Sequence, residues 1–169
     1  MVRGRREGAG SEWCRIRRRP GATAAGTPGH LPVDRRPRPC GPRTCRAGTR
    51  LPLPPSYRYF LAELGSCEAD GTDFLGVYRT AAMGDTLLGT VEATLDARTD
   101  ERFPRELLVI QYDGMGGLVS LDTAQHDADG EHPVVVWDPG SGDRGGPERL
   151  ADDFGSYALR QCGRSLPDG

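Results

Sequence analysis

The run LLVIQYDGMGGLVSLDT, Leu107 to Thr123, constrains the fold more than any other stretch of this chain. Leu107 to Gln111 is a nearly continuous apolar segment, and the cluster Asp113-Gly-Met-Gly-Gly117 follows it directly. A glycine-rich turn between two apolar runs reverses the chain within a few residues, so the runs pair antiparallel. Leu118-Val-Ser-Leu121 supplies the returning strand. After the polar loop AQHDADGEH comes a third strand, Pro133 to Trp137. Connections this short leave no room for crossover helices and argue against parallel pairing here.

Helical patterns flank this meander. In LPLPPSYRYFLAELG, prolines suit a helix entrance, Ser56 can cap nearby amides, and Tyr57, Phe60, Leu61 and Leu64 fall on one face. Gly65 supplies a left-handed stop. Phe74 to Tyr78 reads as a short strand. Asp85 then reads as the cap of a second helix, DTLLGTVEATLDAR, with Leu88, Val91 and Leu95 on its apolar face. A last helical face joins Leu150, Phe154, Tyr157, Ala158 and Gln161, capped by Asp152 or Asp153. Helix, strand, helix, three strands and helix make an α+β class, a mainly antiparallel sheet flanked by helices.

Charge divides the chain near residue 50. Residues 1–50 hold 13 arginines against Glu7, Glu12 and Asp34, a net of +10, whereas residues 51–169 hold 9 arginines against 21 acids, a net of −12. All 22 basic residues are arginine, which reads first as the codon usage of a GC-rich genome. The Arg/Pro/Gly-rich residues 1–50 show no periodicity and too few apolar groups to offset the entropy of ordering, so they are expected to be disordered. An upstream start site or a shifted reading frame would leave the same composition. The folded module is expected over residues 51–162, with 163–169 as a tail. Five cysteines form no regular framework, no apolar core follows the basic start, and no run approaches a membrane span. A cytoplasmic protein with free thiols is the expectation.

Each motif with chemical potential has a plainer reading. Gly140-Ser-Gly142-Asp-Arg-Gly145 is formally G-x-G-x-x-G after a strand, but the chain ends at Gly169, too soon to complete a βαβ unit. It is expected to be a loop, and no cofactor is expected. Gln125 to Glu131 resembles a fragment of a calcium loop, yet Gln125 and Val136 stand at two ligand positions. Cys40 and Cys45 lack a second close pair for zinc. His126 and His132 neighbour no nucleophile motif, so a small hydrolase built on them is a minor alternative. The arginine-rich head could hold phosphates, but without aromatic interleaving or a fold it argues for no specific nucleic-acid recognition.

The ordered part resembles a known family. LPPSYRYFLAELG is similar to the LP-x-x-Y-x-x-F-L…G opening of the SUKH superfamily, the domain related to fungal cell-wall assembly regulators. LLVIQYDGMGGLVSLDT resembles its strand–DG-x-G–strand signature, and HPVVVWDP and LADDFGSYAL resemble its next strand and closing acid-aromatic helix. The resemblance spans about Leu51 to Gln161. Two departures stand out. The family places a further helix before the LP opening, where RPRPCGPRTCRAGTR does not read as one. Gly117 also stands where an aspartate often follows the glycine turn.

The resemblance implies a sheet flanked by helices and no catalytic activity. Bacterial members are largely immunity proteins that bind a cognate toxin domain, often a nuclease, and fungal relatives are interaction hubs. An acidic module is steered toward the basic cleft of a nuclease. Asp70, Asp73, Asp127, Asp129, Glu131, Asp138 and Asp143 lie on predicted loops where they can reach such a partner. Taken singly, each also reads as a solvated acid serving solubility. The expected function is therefore non-enzymatic toxin neutralisation by occlusion, and the alternative is a regulatory protein-interaction scaffold.

Overall fold

The computed structural model describes residues 38–69, 72–140 and 146–163. In chain order these form β1 (Arg38–Pro39), α1 (Pro42–Thr49), α2 (Pro55–Glu63), β2 (Cys67–Ala69), β3 (Thr72–Phe74) and β4 (Val77–Arg79). Then come β5 (Leu88–Gly89), α3 (Thr90–Ala97), β6 (Leu107–Tyr112), β7 (Leu118–Asp122), β8 (Val134–Trp137), β9 (Glu148–Ala151) and α4 (Phe154–Gly163). All described strand pairs are antiparallel, so the fold is α+β. The expectations for residues 1–37 and for residues 164–169 lie outside the described residues.

The meander is a four-stranded sheet in the order β6-β7-β8-β9, with Leu108 opposite Leu121 and Leu121 opposite Val134. Side chains alternate between the two faces of a strand. Leu108, Ile110, Val119, Leu121 and Val134 therefore pack beneath α2 and α4, in one core with Tyr57, Phe60, Phe154 and Tyr157. Leu107, Val109 and Val135 face the other way, against Ala93, Phe103 and the edge of Trp137. Burial on both faces is why LLVI is continuously apolar. At the glycine turn, Asp113 Oδ1 accepts the amides of Met115 at 2.7 Å and Gly117 at 2.8 Å.

The free edge of β6 is covered. The register shifts between Val109 and Gln111, which marks a bulge. There the Val109 amide donates to Thr94 Oγ1 at 3.0 Å, and the Ile110 carbonyl accepts the Leu75 amide at 2.8 Å. Helix α3 and the chain before β4 thus satisfy groups that would otherwise offer a pairing template.

Helix α2 runs from Pro55 to Glu63, buries Tyr57, Phe60 and Leu61, and is followed by Gly65 at φ +74°, as its sequence predicts. Pro54 at its N-cap has no capping side chain. The cap comes instead from the β7–β8 loop: Glu131 accepts the Ser56 amide at 2.9 Å and the Ser56 hydroxyl at 2.6 Å. A carboxylate at a helix N-terminus satisfies orphan donors and suits the dipole.

Four expectations need correction. Residues 38–50 are not without structure: β1 pairs with β4, and α1 buries Cys45 and Thr49 completely or nearly so. Its contact residues are Cys, Thr and Gly, so the helix carries no large apolar stripe for a periodicity test to find. The strand expected over Phe74–Tyr78 is interrupted at Leu75–Gly76 and preceded by a hairpin, β2–β3. The second helix begins at Thr90, not at Asp85, because Gly89 at φ +77° ends β5 in a conformation that no helix residue adopts. Leu88 is therefore a strand residue, and Leu95 is 48% exposed instead of buried. Lastly, Glu148–Ala151 is a fourth strand, so Leu150 belongs to β9 and α4 starts at Phe154. Asp153 caps that helix, accepting from the Ser156 amide and hydroxyl at 2.7 Å each.

Two outcomes follow. Burial pushes the Cys45 thiol up to about 12, so at pH 8 it is both protonated and shielded. Iodoacetamide should leave Cys45 unlabelled in the native protein and label it on unfolding, read by mass spectrometry of digests. Fast native labelling would show that α1 is not docked. Glu131→Ala should lower stability by about 1–2 kcal/mol in urea titrations, the usual loss on removing a helix cap.

Candidate functional site

The acids singled out in the sequence fall into two groups by what their carboxylates hold. Asp127 Oδ1 accepts the amides of Asp129 and Glu131, both at 2.9 Å, and so shapes the β7–β8 loop. Glu131 caps α2. Asp138 Oδ1 accepts the Gly140 amide at 2.7 Å. Asp129 and Asp73 are exposed, and Asp73 faces Glu68 across the β2–β3 hairpin. Asp70 and Asp143 lie outside the described residues, as does most of the Gly140–Gly145 loop. The structure does not gather the described ones among these positions. Asp127, Asp129 and Glu131 precede β8 and Asp138 follows it, so four strand residues, roughly 13 Å at 3.3 Å each, separate the two groups.

The two histidines of this region are loop ties. His132 is buried, with Nδ1 2.6 Å from the Gln125 carbonyl, and exposed His126 places Nδ1 3.1 Å from the Asp127 carbonyl. No helix among the described residues is long and apolar enough to cross a membrane.

A different surface is built where α1, α3 and the approach to β5 meet. A groove of about 450 Å³ runs between them, with Gly48 at one wall and Leu87, Val91 and Leu95 along its floor. Gly48 sets how close the helices come: a Cβ there would meet the Val91 side chain at 2.7 Å. Asp85, Glu92 and Asp96 rim the groove, and all three are exposed. Among the described residues, no arginine forms an ion pair with any of them.

Helix α3 carries Glu92 in its first turn, where the dipole favours an acid, but sets Asp96 against its own electrostatics. Glu92 and Asp96 are four residues apart, so like charges face each other on one side. Asp96 also sits in the last turn, where the helix dipole favours cations, and no basic residue is in that turn. The field reaches the edge of the sheet: Tyr112 is held above its ordinary range by burial and then by Asp96 and Glu92. The surface was hidden in the sequence by the misplaced start of α3. With Gly89 read as the boundary, Leu95 leaves the core face and the Glu92–Asp96 spacing becomes the signal.

The family model described as SMI1-KNR4 cell-wall, SUKH_6, matches residues 48–157, nearly two thirds of the chain. The match covers the end of α1, the α2 opening, the glycine turn and the start of the closing helix. No curated protein matches the chain. Such a family supports a general role in protein–protein interaction. By this match and by the resemblance carried in its own residues, the chain belongs to the SUKH superfamily.

Proposed function

We propose that this protein is a non-enzymatic, immunity-type factor that binds a cognate toxin domain and neutralises it by occlusion. The observation that carries the reading is an exposed acidic surface, Asp85, Glu92 and Asp96, left without arginine partners among the described residues of a SUKH-family domain. A surface that keeps uncompensated charge favours a partner of opposite sign and rejects partners of like sign. Residues 51–169 carry −12 as a whole, which adds long-range steering toward a basic cleft. A nuclease toxin suits that charge best, since its substrate groove must be cationic. Among the described residues, free thiols at Cys45, Cys67 and Cys162 suit a cytoplasmic location.

The cell-wall description of the matching family favours a second reading, a regulatory scaffold that docks a cellular protein without a toxin. Gene neighbourhood and binding separate the two. Under the first reading, the product of an adjacent toxin-like gene forms a 1:1 complex with the full chain and loses its activity on binding. The affinity should weaken by about tenfold or more between about 0.05 and 0.5 M salt, as charge steering is screened. Calorimetry at both salt concentrations measures this. A salt-independent interaction, or none, together with pull-downs returning housekeeping proteins, would favour the scaffold.

A further inference from the structure

We propose that the groove between α1 and α3 is the docking site for an arginine- or lysine-flanked aliphatic side chain of a foreign protein partner. The inference rests on the partner-binding reading and adds to it the place and the chemistry of recognition. The floor is apolar: Val91 is 2% exposed, Leu95 is 48% exposed, and Leu87 lies between them in burial. Half-exposed Leu95 and partly exposed Leu87 leave apolar area for one more aliphatic group to cover. The rim is acidic, with Asp85 on the approach to β5 and Glu92 and Asp96 on α3. A single occupant satisfies both features, namely a branched aliphatic residue with cations on either side of it.

Charge complementarity points to a cationic occupant, and the helix adds an independent reason. Glu92 and Asp96 repel each other at i, i+4, and Asp96 opposes the dipole of its own helix. Both penalties are relieved when a cation sits between the two carboxylates. At the groove wall Gly48 packs against the Val91 and Leu87 side chains, where a Cβ would meet Val91 at 2.7 Å, so α1 lies close against α3.

The test uses the full chain and a fluorescein-labelled peptide with one leucine between arginine pairs, with fluorescence anisotropy as readout. A second peptide replaces the leucine by serine. Glu92→Gln/Asp96→Gln should weaken binding of the leucine peptide about tenfold or more, and Leu95→Ser about fivefold, with neither variant lowering the melting temperature. The serine peptide should bind the parent protein more weakly and be insensitive to Leu95→Ser. Equal binding of the leucine peptide by parent and variants overturns the site, as does identical behaviour of the two peptides, which would mean charge attraction alone. Self-association that Glu92→Gln/Asp96→Gln abolishes, seen by sedimentation, would assign the groove to the arginine-rich head of a second copy and overturn a foreign occupant. Loss of peptide binding in the variants supports the groove even if no adjacent toxin exists. Toxin neutralisation that survives unchanged in the variants places that function elsewhere on the surface.

Discussion

One buried hydroxyl joins the layers of this fold. Tyr57 is fully buried in α2, and its Oη lies 2.6 Å from Thr90 Oγ1 and donates to the Leu75 carbonyl at 2.8 Å. Thr90 Oγ1 also reaches that carbonyl at 3.1 Å, and the Thr90 amide donates to the Gly76 carbonyl at 2.9 Å. The first residue of α3, the break between β3 and β4 and the middle of α2 therefore meet at one point. In a desolvated setting each of these groups needs its partner, since leaving one unsatisfied costs about 1–3 kcal/mol. Burial raises the Tyr57 hydroxyl well above its ordinary range, which keeps the proton on the group that makes these bonds. Around its ring, Phe60, Phe74 and Phe154 pack with centroids 5.0 to 6.3 Å apart, mostly edge to face. The aromatic cluster supplies burial, and the hydroxyl fixes which way round it is assembled.

That joint also explains the glycines of this region. A Cβ on Gly76 would collide with the Gly65 carbonyl, and one on Gly89 would collide with the Gly76 carbonyl. Three chain segments lie backbone against backbone, and Gly89 adds a left-handed φ that starts α3 at Thr90. Where α3 starts decides which of its residues face out. A helix capped at Asp85 would turn Leu95 inward. Starting at Thr90, it buries Val91, Ala93 and Thr94 and leaves Glu92, Leu95 and Asp96 on the outside. The groove is a consequence of a backbone contact on the other side of the helix.

How much of this was legible follows from what each segment buries. The α2 face, the glycine turn and the strands β6 to β8 were readable because large apolar residues recur at helical or strand spacing there. Helix α1 was not, because its inward residues are Cys45 and Thr49, which a hydrophobicity pattern does not weight. Strand β9, Glu148-Arg-Leu-Ala151, was not, because it is an edge strand with one buried residue and its Leu150 falls in helical register with Phe154 and Tyr157. The loop acids were found by type but not by role. Nothing local in HDADGEH says that Glu131 reaches Ser56, 75 residues away in sequence, to cap a helix that opens on two prolines.

The acids of this chain therefore divide by the work their oxygens do in the free protein. Asp113, Asp127, Glu131, Asp138 and Asp153 spend theirs on backbone amides, so a partner could engage them only by competing with bonds that hold turns and helix ends. Asp85, Glu92 and Asp96 have no such obligation among the described residues, and Asp96 sits in the last turn of its helix, where the dipole disfavours an acid. Sequence reading places every acid on an equal footing, as one contribution to a charge of −12. Hydrogen bonding removes that equality. A carboxylate bonded to the backbone stabilises the fold, whereas a hydrated one beside exposed aliphatic surface can exchange water for a cation brought by another molecule without breaking a turn or a helix cap.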